Sequence, residues 1–532
     1  ALLSARVELH RRTGRPGDRL LLEEQDAVAA ALGDGSADQM MHRLADAART
    51  IAWRSDDAWA RIDASLSGPL GWRSRRDRSI GPGLVLRDGE VHVTADADLT
   101  DPTLVLRAAS AAAAGETRIH RASLDRLAMS AAPLPEPWPP EVRAALVDLL
   151  LAGHRAIPVI EALDQMGLWE PVLPEWSTVR SKPQRNAYHR FTVDRHLIEA
   201  AANAADLVAR TERPDLLVVG TLLHDIGKGY PGDHTEVGID LVEVIGHRMG
   251  FPDADVAVLQ ALVRHHLLLP DVATRRDLDD PATLDRVAEA AGDLLTLGLL
   301  AALTEADSLA TGPAAWGQWK AELVRDLVAR TSHVLGGGTA EEVREDFPSP
   351  EHIDLLRSGR TVVQGEGDRL TVVAPDRPGL FSRVAGVLAL HGLGVLDAAV
   401  TSLDGNALEV LRVESSFGPT IAWDKVLADL EKVLEGRLAL QARLAERARV
   451  YGARSPARAP VHEPPRVVVD NQASRDATVV EVHAVDSVGV LYRITRALAD
   501  LDLNIVSAKV QTLGDRVVDA FYVRDLAGDK LT

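Results

Sequence analysis

Cysteine is absent from the 532 residues, which excludes disulfides, thiolate catalysis and zinc fingers. Any metal must then be held by His, Asp or Glu. Basic charge is also short: 59 Lys+Arg stand against 78 Asp+Glu, a formal net charge of −19. Such a chain lacks the basic surface that displaces phosphate counterions, so it is not a non-specific nucleic-acid binder. The same balance argues against docking on anionic membrane. Lysine is the scarcer base, with 7 residues against 52 arginines, which fits a coding bias. Long hydrophobic runs are missing too. The longest, around 216–223 and 294–303, fall short of the ~20 residues a membrane span needs. The opening ALLSARVELHRR is too charged for a signal peptide. These absences point to a cytoplasmic protein. The chain begins at Ala1 without a methionine and reads as a fragment or a processed chain.

What is present is ordinary globular material, 46% hydrophobic and 26% charged. The length allows about three or four domains at roughly 150 residues each. Residues 1–84 read as helical, with Met41, Leu44, Ala48, Ile51 and Ala52 at helical spacing. EVHVTAD within 85–99 alternates like a strand, and Ala-rich 103–115 returns to helix. APLPEPWPPE, 132–141, carries five prolines in ten residues and reads as a linker or turn. Residues 142–180 and 181–335 are again helical. GGG at 336–338 and DFPSP at 346–350 mark a linker.

From 368 the pattern switches to alternation. LTVVAP precedes the turn DRPG, and Phe381, Val384, Val387 and Leu388 then line one helix face. GVLDAAVTS and ALEVLRVE follow as strands. The order recurs as VVEVHAV, DSVG, a helix lined by Leu491, Ile494, Leu498 and Leu501, then NIVSAKVQT and RVVDAFYV. This internal repeat has a spacing of 110 residues, from Asp376 to Asp486. A Pro/Arg-rich insert at 454–466 lengthens the first copy.

Chemistry concentrates in the helical block. Seven of the 17 histidines lie between His189 and His266. His224 and Asp225 sit together in LLHDIGK, where a neutral imidazole and a carboxylate able to bridge two hard cations make a metal pair. Neighbours on a helix point about 100° apart, so further ligands must come from other helices. His196, His234, His265, His266 and Asp307 are the candidates, spread in order along the block. Lys228 stands three residues after Asp225. It is read either as a charge partner for a phosphate or as a lysine favoured by the helix-end dipole.

The order His196, His224-Asp225, Asp307 resembles the HD phosphohydrolase superfamily over about 181–335, and His234 with His265-His266 resembles its two-metal form. The resemblance implies two divalent cations, Mg²⁺ or Mn²⁺, adjacent and bridged by Asp225, that activate water for in-line attack at phosphorus. The GYP at 229–231 precedes the paired histidines, unlike in the HD-GYP phosphodiesterases, and is read as coincidence. The two repeats resemble ACT domains, small βαββαβ modules. In that family the turn holds an amino acid, which would assign Asp376, Arg377, Gly379 and Leu380, and in the second copy Asp486, Gly489 and Val490.

HD block, tandem ACT repeats and the preceding PEWSTVRSKPQRNAYHRFTVDRH together are similar to the bifunctional PII uridylyltransferase/uridylyl-removing enzymes of actinobacterial type. The resemblance implies a glutamine-regulated phosphodiesterase that removes UMP or AMP from a tyrosine of the PII signalling protein, with Asp225 and Lys228 catalytic. The fold class expected is multidomain and mainly α, a helical HD core followed by two α+β ACT domains. The boundaries expected are 1–140 as the helical remainder of a nucleotidyltransferase domain, 141–180 as a connector and 181–335 as the HD domain. A linker at 336–367 and ACT domains at 368–471 and 476–532 follow, the second cut short after three strands. The transferase motif of this family, a Gly-Ser followed by an Asp-x-Asp pair, is not found. Gly35-Ser36 has no such pair, and Asp96 and Asp98 read as a surface loop. Two other readings stay open: an HD-type guanosine tetraphosphate hydrolase, and an amino-acid sensor with an inactive HD block.

Overall fold

The computed structural model describes all residues except 67–76, 186–189, 313–314, 345–346, 417, 419, 453–463, 514–515 and 532. His189 and most of the 454–466 insert therefore lie outside the described residues. The chain divides into two compact units, Ala1–Leu267 with Ala291–Ala321, and Leu268–Ala290 with Glu322–Thr532.

The first unit is nearly all helix. It opens with Leu2–Thr13, Leu22–Leu32 and the long Ala37–Leu66. The alternating stretch is the last strand of a small antiparallel meander, β1 Arg78–Gly81, β2 Leu84–Arg87 and β3 Glu90–Val93. Five helices then build the part of interest: α1 Val193–Ala205, α2 Pro214–Leu223, α3 His234–Arg248, α4 Asp253–His265 and α5 Leu294–Thr311. All eight residues Leu216, Leu217, Val218, Val219, Gly220, Thr221, Leu222 and Leu223 of α2 are buried, so it runs through the centre. A helix apolar on every side belongs in a core. The sequence expectation about hydrophobic runs needs one correction. Asp253–Arg275 and Leu294–Thr311 both have the length and hydropathy of a span. The first stretch breaks into two helices beyond His265, and α5 packs on α1, α2 and α4 as a core helix.

One partly buried cation ties the N-terminal helices to the start of α1. Arg49, on Ala37–Leu66, reaches Asp194 at 2.6 Å, Glu161 at 2.8 Å and Asp164 at 3.0 Å. The backbone amide of Ser181 also donates to Asp194. Asp194 lies two residues before His196, so this network sets where α1 begins.

In the second unit both repeats join one antiparallel sheet of eight strands. These are β4 Val362–Glu366, β5 Arg369–Pro375, β6 Leu393–Leu403, β7 Asn406–Ser415, β8 Arg466–Asp470, β9 Thr478–Val485, β10 Asn504–Leu513 and β11 Arg516–Arg524. Their order is β4-β5-β7-β6-β10-β11-β9-β8. Helices α6 Leu380–Leu390 and α7 Val490–Asp500 cover one face, and Val384, Val387, Leu388 and Leu498 form a core there with Leu411 and Phe521. In the second repeat β8 pairs with β9 along the sheet edge, and no helix or strand follows β11 among the described residues. The first repeat is completed in the same way by β4, which lies in the stretch read as a linker. The segment Leu268–Ala290, expected inside the HD block, also belongs to this unit. Its Asp277 backbone N–H donates to the Tyr522 hydroxyl at 2.7 Å, and Arg276 pairs with Glu481 at 2.9 Å.

The Arg49 network generates a stability prediction. Arg49→Ala removes the cation that Asp194, Glu161 and Asp164 share in a partly buried site, and breaking a buried ion pair from one side costs about 3–5 kcal/mol. Urea unfolding followed by circular dichroism should show that loss. A change within about 0.5 kcal/mol would remove the network from any supporting role.

Candidate metal centre

Five helix ends bring six of the seven proposed ligands together. His224 follows the last residue of α2 and His266 follows the last residue of α4, each with helical dihedrals. The two are built alike. His224 Nδ1 lies 2.7 Å from the Thr221 carbonyl oxygen, and His266 Nδ1 lies 2.7 Å from the Val263 carbonyl oxygen. Carbonyls in a last helical turn lack intrahelical partners, so each ring finds an acceptor three residues back. That bond leaves Nε2 of both rings pointing inward, as ligating imidazoles require. The negative ends of two helix dipoles face the same point, which favours a cation.

The remaining ligands arrive from helix starts and from α5. His196 lies in the first turn of α1. His234 opens α3, whose first turn is capped by the Asp233 carboxylate accepting from Thr235 and Glu236 amides. Asp307 comes from the late turns of α5. The six fall into two sets whose donor atoms lie within 4.8 Å of one another: His196, His224 and Asp307, and Asp225, His234 and His266.

Asp225 lies between the sets. Its Oδ2 is 3.4 Å from His224 Nε2 and 4.0 Å from His196 Nε2. Its Oδ1 is 3.7 Å from both His234 Nε2 and His266 Nε2. His196 Nε2 also meets Asp307 Oδ1 at 2.9 Å, and His224 Nε2 stands 3.6 Å from it. His196, His224, Asp225 and His266 are all buried. Buried polar atoms are ordinarily hydrogen-bonded. Here His224 Nε2 and Asp225 Oδ1 have no partner. A hard-oxygen and imidazole set with inward-facing unsatisfied atoms fits divalent cations such as Mn²⁺ or Mg²⁺.

The charges are strongly coupled. Burial disfavours protonated His224, but Asp225 and Asp307 outweigh it and push its pKa up to about 10. Burial would raise Asp225 and Asp307, yet the facing histidines hold both well below the usual carboxylate range. Burial lowers the pKa of His266. Lys228, on the short turn Ile226–Gly229, pairs with Asp225 Oδ2 at 2.5 Å and donates to Gln184 at 3.2 Å. Gly227 lets that turn press on α3: a Cβ there would stand 2.0 Å from the His234 carbonyl oxygen.

His265 is not brought into either set and corrects the reading of both paired histidines as ligands. Adjacent helical residues diverge, and only His266 faces inward. The turns before α6 and α7 are built alike. Gly379 and Gly489 precede α6 and α7 with φ of 78° and 75°, a region that favours glycine. Asp376, Arg377, Asp486 and Ser487 are exposed on these turns. Ser36 caps Ala37–Leu66 by accepting from the Gln39 amide, and Asp98 accepts from Thr100 in an exposed turn. Arg49 was missed by sequence reasoning, since a lone arginine on an amphipathic helix carries no signal of its distant acidic partners.

Residues 193–310 match the family model of the HD domain, a metal-dependent phosphohydrolase family. Residues 473–532 match that of the ACR family N-terminal ACT domain. The bifunctional uridylyltransferase/uridylyl-removing enzyme of Streptomyces coelicolor is 43% identical over 98% of this chain and 70% of the relative. The protein of the same name from Mycobacterium tuberculosis is 40% identical over 98% of this chain and 67% of the relative. That of Rhodospirillum rubrum is 31% identical over 100% of this chain and 65% of the relative.

The His224 charge state generates a test of the site that does not depend on turnover. With a pKa of about 10, the ring is protonated at pH 8 in the metal-free protein, and a cation must displace that proton. Mn²⁺ binding at pH 8 should release about one proton from it, and apparent affinity should rise with pH. Calorimetry in buffers of different ionisation enthalpy measures the release. Mn²⁺ binding with no proton release, unchanged in His224→Ala, would place the cation elsewhere.

Proposed function

The chain belongs to the family of bifunctional uridylyltransferase/uridylyl-removing enzymes, and from that premise we propose that its histidine centre removes UMP or AMP from a modified tyrosine of a PII signalling protein. Its HD domain makes it a hydrolase of that superfamily. One observation carries the proposal: the single carboxylate Asp225 faces two sets of metal-type ligands at once. A bridged pair of sites suits in-line displacement at a phosphodiester. The relatives' names favour nucleotide removal over guanosine tetraphosphate hydrolysis. The six facing ligands also disfavour an inactive HD block.

In this reading His196, His224 and Asp307 would hold one divalent cation, Mn²⁺ or Mg²⁺, and His234 and His266 a second, with Asp225 available to both. Divalent cations bound there supply Lewis acidity to the phosphoryl group and lower the pKa of water. The chain's own part is to fix geometry. Nδ1 bonds to Thr221 and Val263 lock the two imidazoles, and burial excludes bulk water from Asp225. Lys228, held at Asp225, places an ammonium beside the site to balance phosphate charge. Water forms the new P–O bond, and the P–O bond to tyrosine breaks. The leaving tyrosyl oxygen has a pKa near 10 in water and needs only modest acid assistance. L-Glutamine acts through the turns at Asp376, Arg377, Gly379 and Leu380 and at Asp486, Gly489 and Val490. The nucleotide-adding half of the family's activity is not assigned to these residues.

Asp225→Ala should cut hydrolysis of nucleotidylated PII roughly a thousandfold or more, since one group serves both sites. The helical circular dichroism should be unchanged. Mass measurement of PII before and after incubation reads the loss of one nucleotide, and full activity in the variant would contradict the assignment. L-Glutamine should bind the protein and stimulate removal. Calorimetry without binding, together with hydrolysis indifferent to glutamine, would contradict the sensing role.

A further inference from the structure

The described residues hold one further cluster of metal-type side chains outside the Asp225 centre. Glu90, His92 and His120 each place a donor atom within 4.8 Å of the other two. The phosphodiesterase reading uses none of them.

The backbone brings the three together. Asp88 and Gly89 have φ of 52° and 82°, the two left-handed positions of a type I′ hairpin turn. Arg87 pairs with Glu90 across that turn, which fixes the register of β3 on β2. Side chains then alternate along β3. Val91 and Val93 are buried, and Glu90 and His92 lie on the other face, half-buried. The chain comes back beside β3 at Ile119, in a parallel bridge to Val91. The Val91 amide donates to the Arg118 carbonyl, and the His120 amide donates to the Val91 carbonyl, each at 2.9 Å. Ile119 is buried like Val91, so His120 emerges next to His92. His120 also starts the helix Arg121–Ser130, and its carbonyl accepts from the Ser123 and Leu124 amides. The Ser123 hydroxyl in turn accepts from the Val93 amide at 3.0 Å. All three side chains stand on hydrogen-bonded backbone.

The side chains are free to ligate. The His92 and His120 rings stack with centroids 4.2 Å apart and planes 19° from parallel. Two imidazolium ions at that separation repel, so the pair favours neutral rings. Burial, and next the neighbouring His120, lower the pKa of His92, which leaves its ring neutral at pH 7 with a lone pair to offer. The Glu90 carboxylate has no ion-pair or hydrogen-bond partner among the described residues. The nearby arginines are engaged elsewhere. Arg87 pairs with Asp77, Arg118 donates to the Asp56 carbonyl at 3.4 Å, and Arg121 pairs with Asp125 at 3.1 Å and lies over the Trp53 ring.

We propose that Glu90, His92 and His120 form a further metal site, separate from the Asp225 centre, for one transition-metal dication of the Zn²⁺ class. Two imidazole nitrogens and one carboxylate oxygen are a three-ligand zinc set, with water in the fourth position. Imidazole donors favour Zn²⁺, Ni²⁺ or Co²⁺ over Mg²⁺. Ligation needs each ring to turn about its Cβ–Cγ bond, which opens the stack and brings one nitrogen of each to the ion. The bound ion would tie β3 to the start of helix Arg121–Ser130.

Zinc also suits the histidines around Asp225, so the test counts ions by difference. The full chain is stripped with chelator and dialysed against micromolar Zn²⁺, and its metal content is measured alongside His92→Ala, Glu90→Gln and Asp225→Ala. Circular dichroism checks that each variant is folded, and Glu90→Gln keeps the shape of the side chain it replaces. The wild type should hold one more equivalent of zinc than His92→Ala. Glu90→Gln should weaken that equivalent by at least the roughly 10–100-fold that loss of an orienting partner costs a metal site. Adding His92→Ala to Asp225→Ala should remove one equivalent there too, which makes the site independent of the buried centre. A crystal soaked in Zn²⁺ should give an anomalous peak at the zinc edge among Glu90, His92 and His120. Equal zinc in wild type and His92→Ala, or a peak at these residues only at millimolar Zn²⁺, overturns the proposal and leaves the Asp225 centre untouched.

Discussion

Asp225 is the constraint on which the first unit's arrangement depends. It is a buried carboxylate whose two oxygens face different histidine pairs. A charge held so deep is tolerated only among opposite charges. His224, kept protonated by the two facing carboxylates, and Lys228 at 2.5 Å provide them in the metal-free protein. Divalent cations would take the place of the imidazole proton and set more positive charge against Asp225 and Asp307.

The scaffold makes that placement repeatable with very simple means. Two helices end on a histidine whose ring returns a hydrogen bond to the last turn. The same local solution, used at α2 and α4, aims two Nε2 atoms at one carboxylate. Gly227 allows the Ile226–Gly229 turn to approach α3 closely enough for His234 to join. Arg49 anchors the start of α1, and with it His196, through three acidic residues. The second unit repeats a module in the same spirit: one turn and one helix, placed twice in a continuous sheet.

Much of this was legible in the residues. Short spacing carried the His224-Asp225 pair, and the recurrence of a D-x-x-G turn between the same kinds of strand carried the repeats. The helical pattern of residues 181–335 marked the block that holds α1 to α5. Three features were not legible, each for a physical reason. His265 and His266 are equally good ligands on paper, and only the direction of the helix end separates them. β4 pairs as an edge strand next to a Pro- and Gly-rich stretch, so its five residues gave no signal above the linker around them. Leu268–Ala290 has the helical pattern of its neighbours, and only tertiary contacts such as Asp277 with Tyr522 assign it to the other unit.

The central claim is that Asp225 bridges two cations. A crystal of the protein grown with Mn²⁺ and measured at the manganese absorption edge tests it directly. The account predicts two anomalous peaks about 3.5–4 Å apart, one beside His196, His224 and Asp307, the other beside His234 and His266, with Asp225 between them. A single peak away from Asp225, or no peak among these six residues at millimolar Mn²⁺, would contradict it.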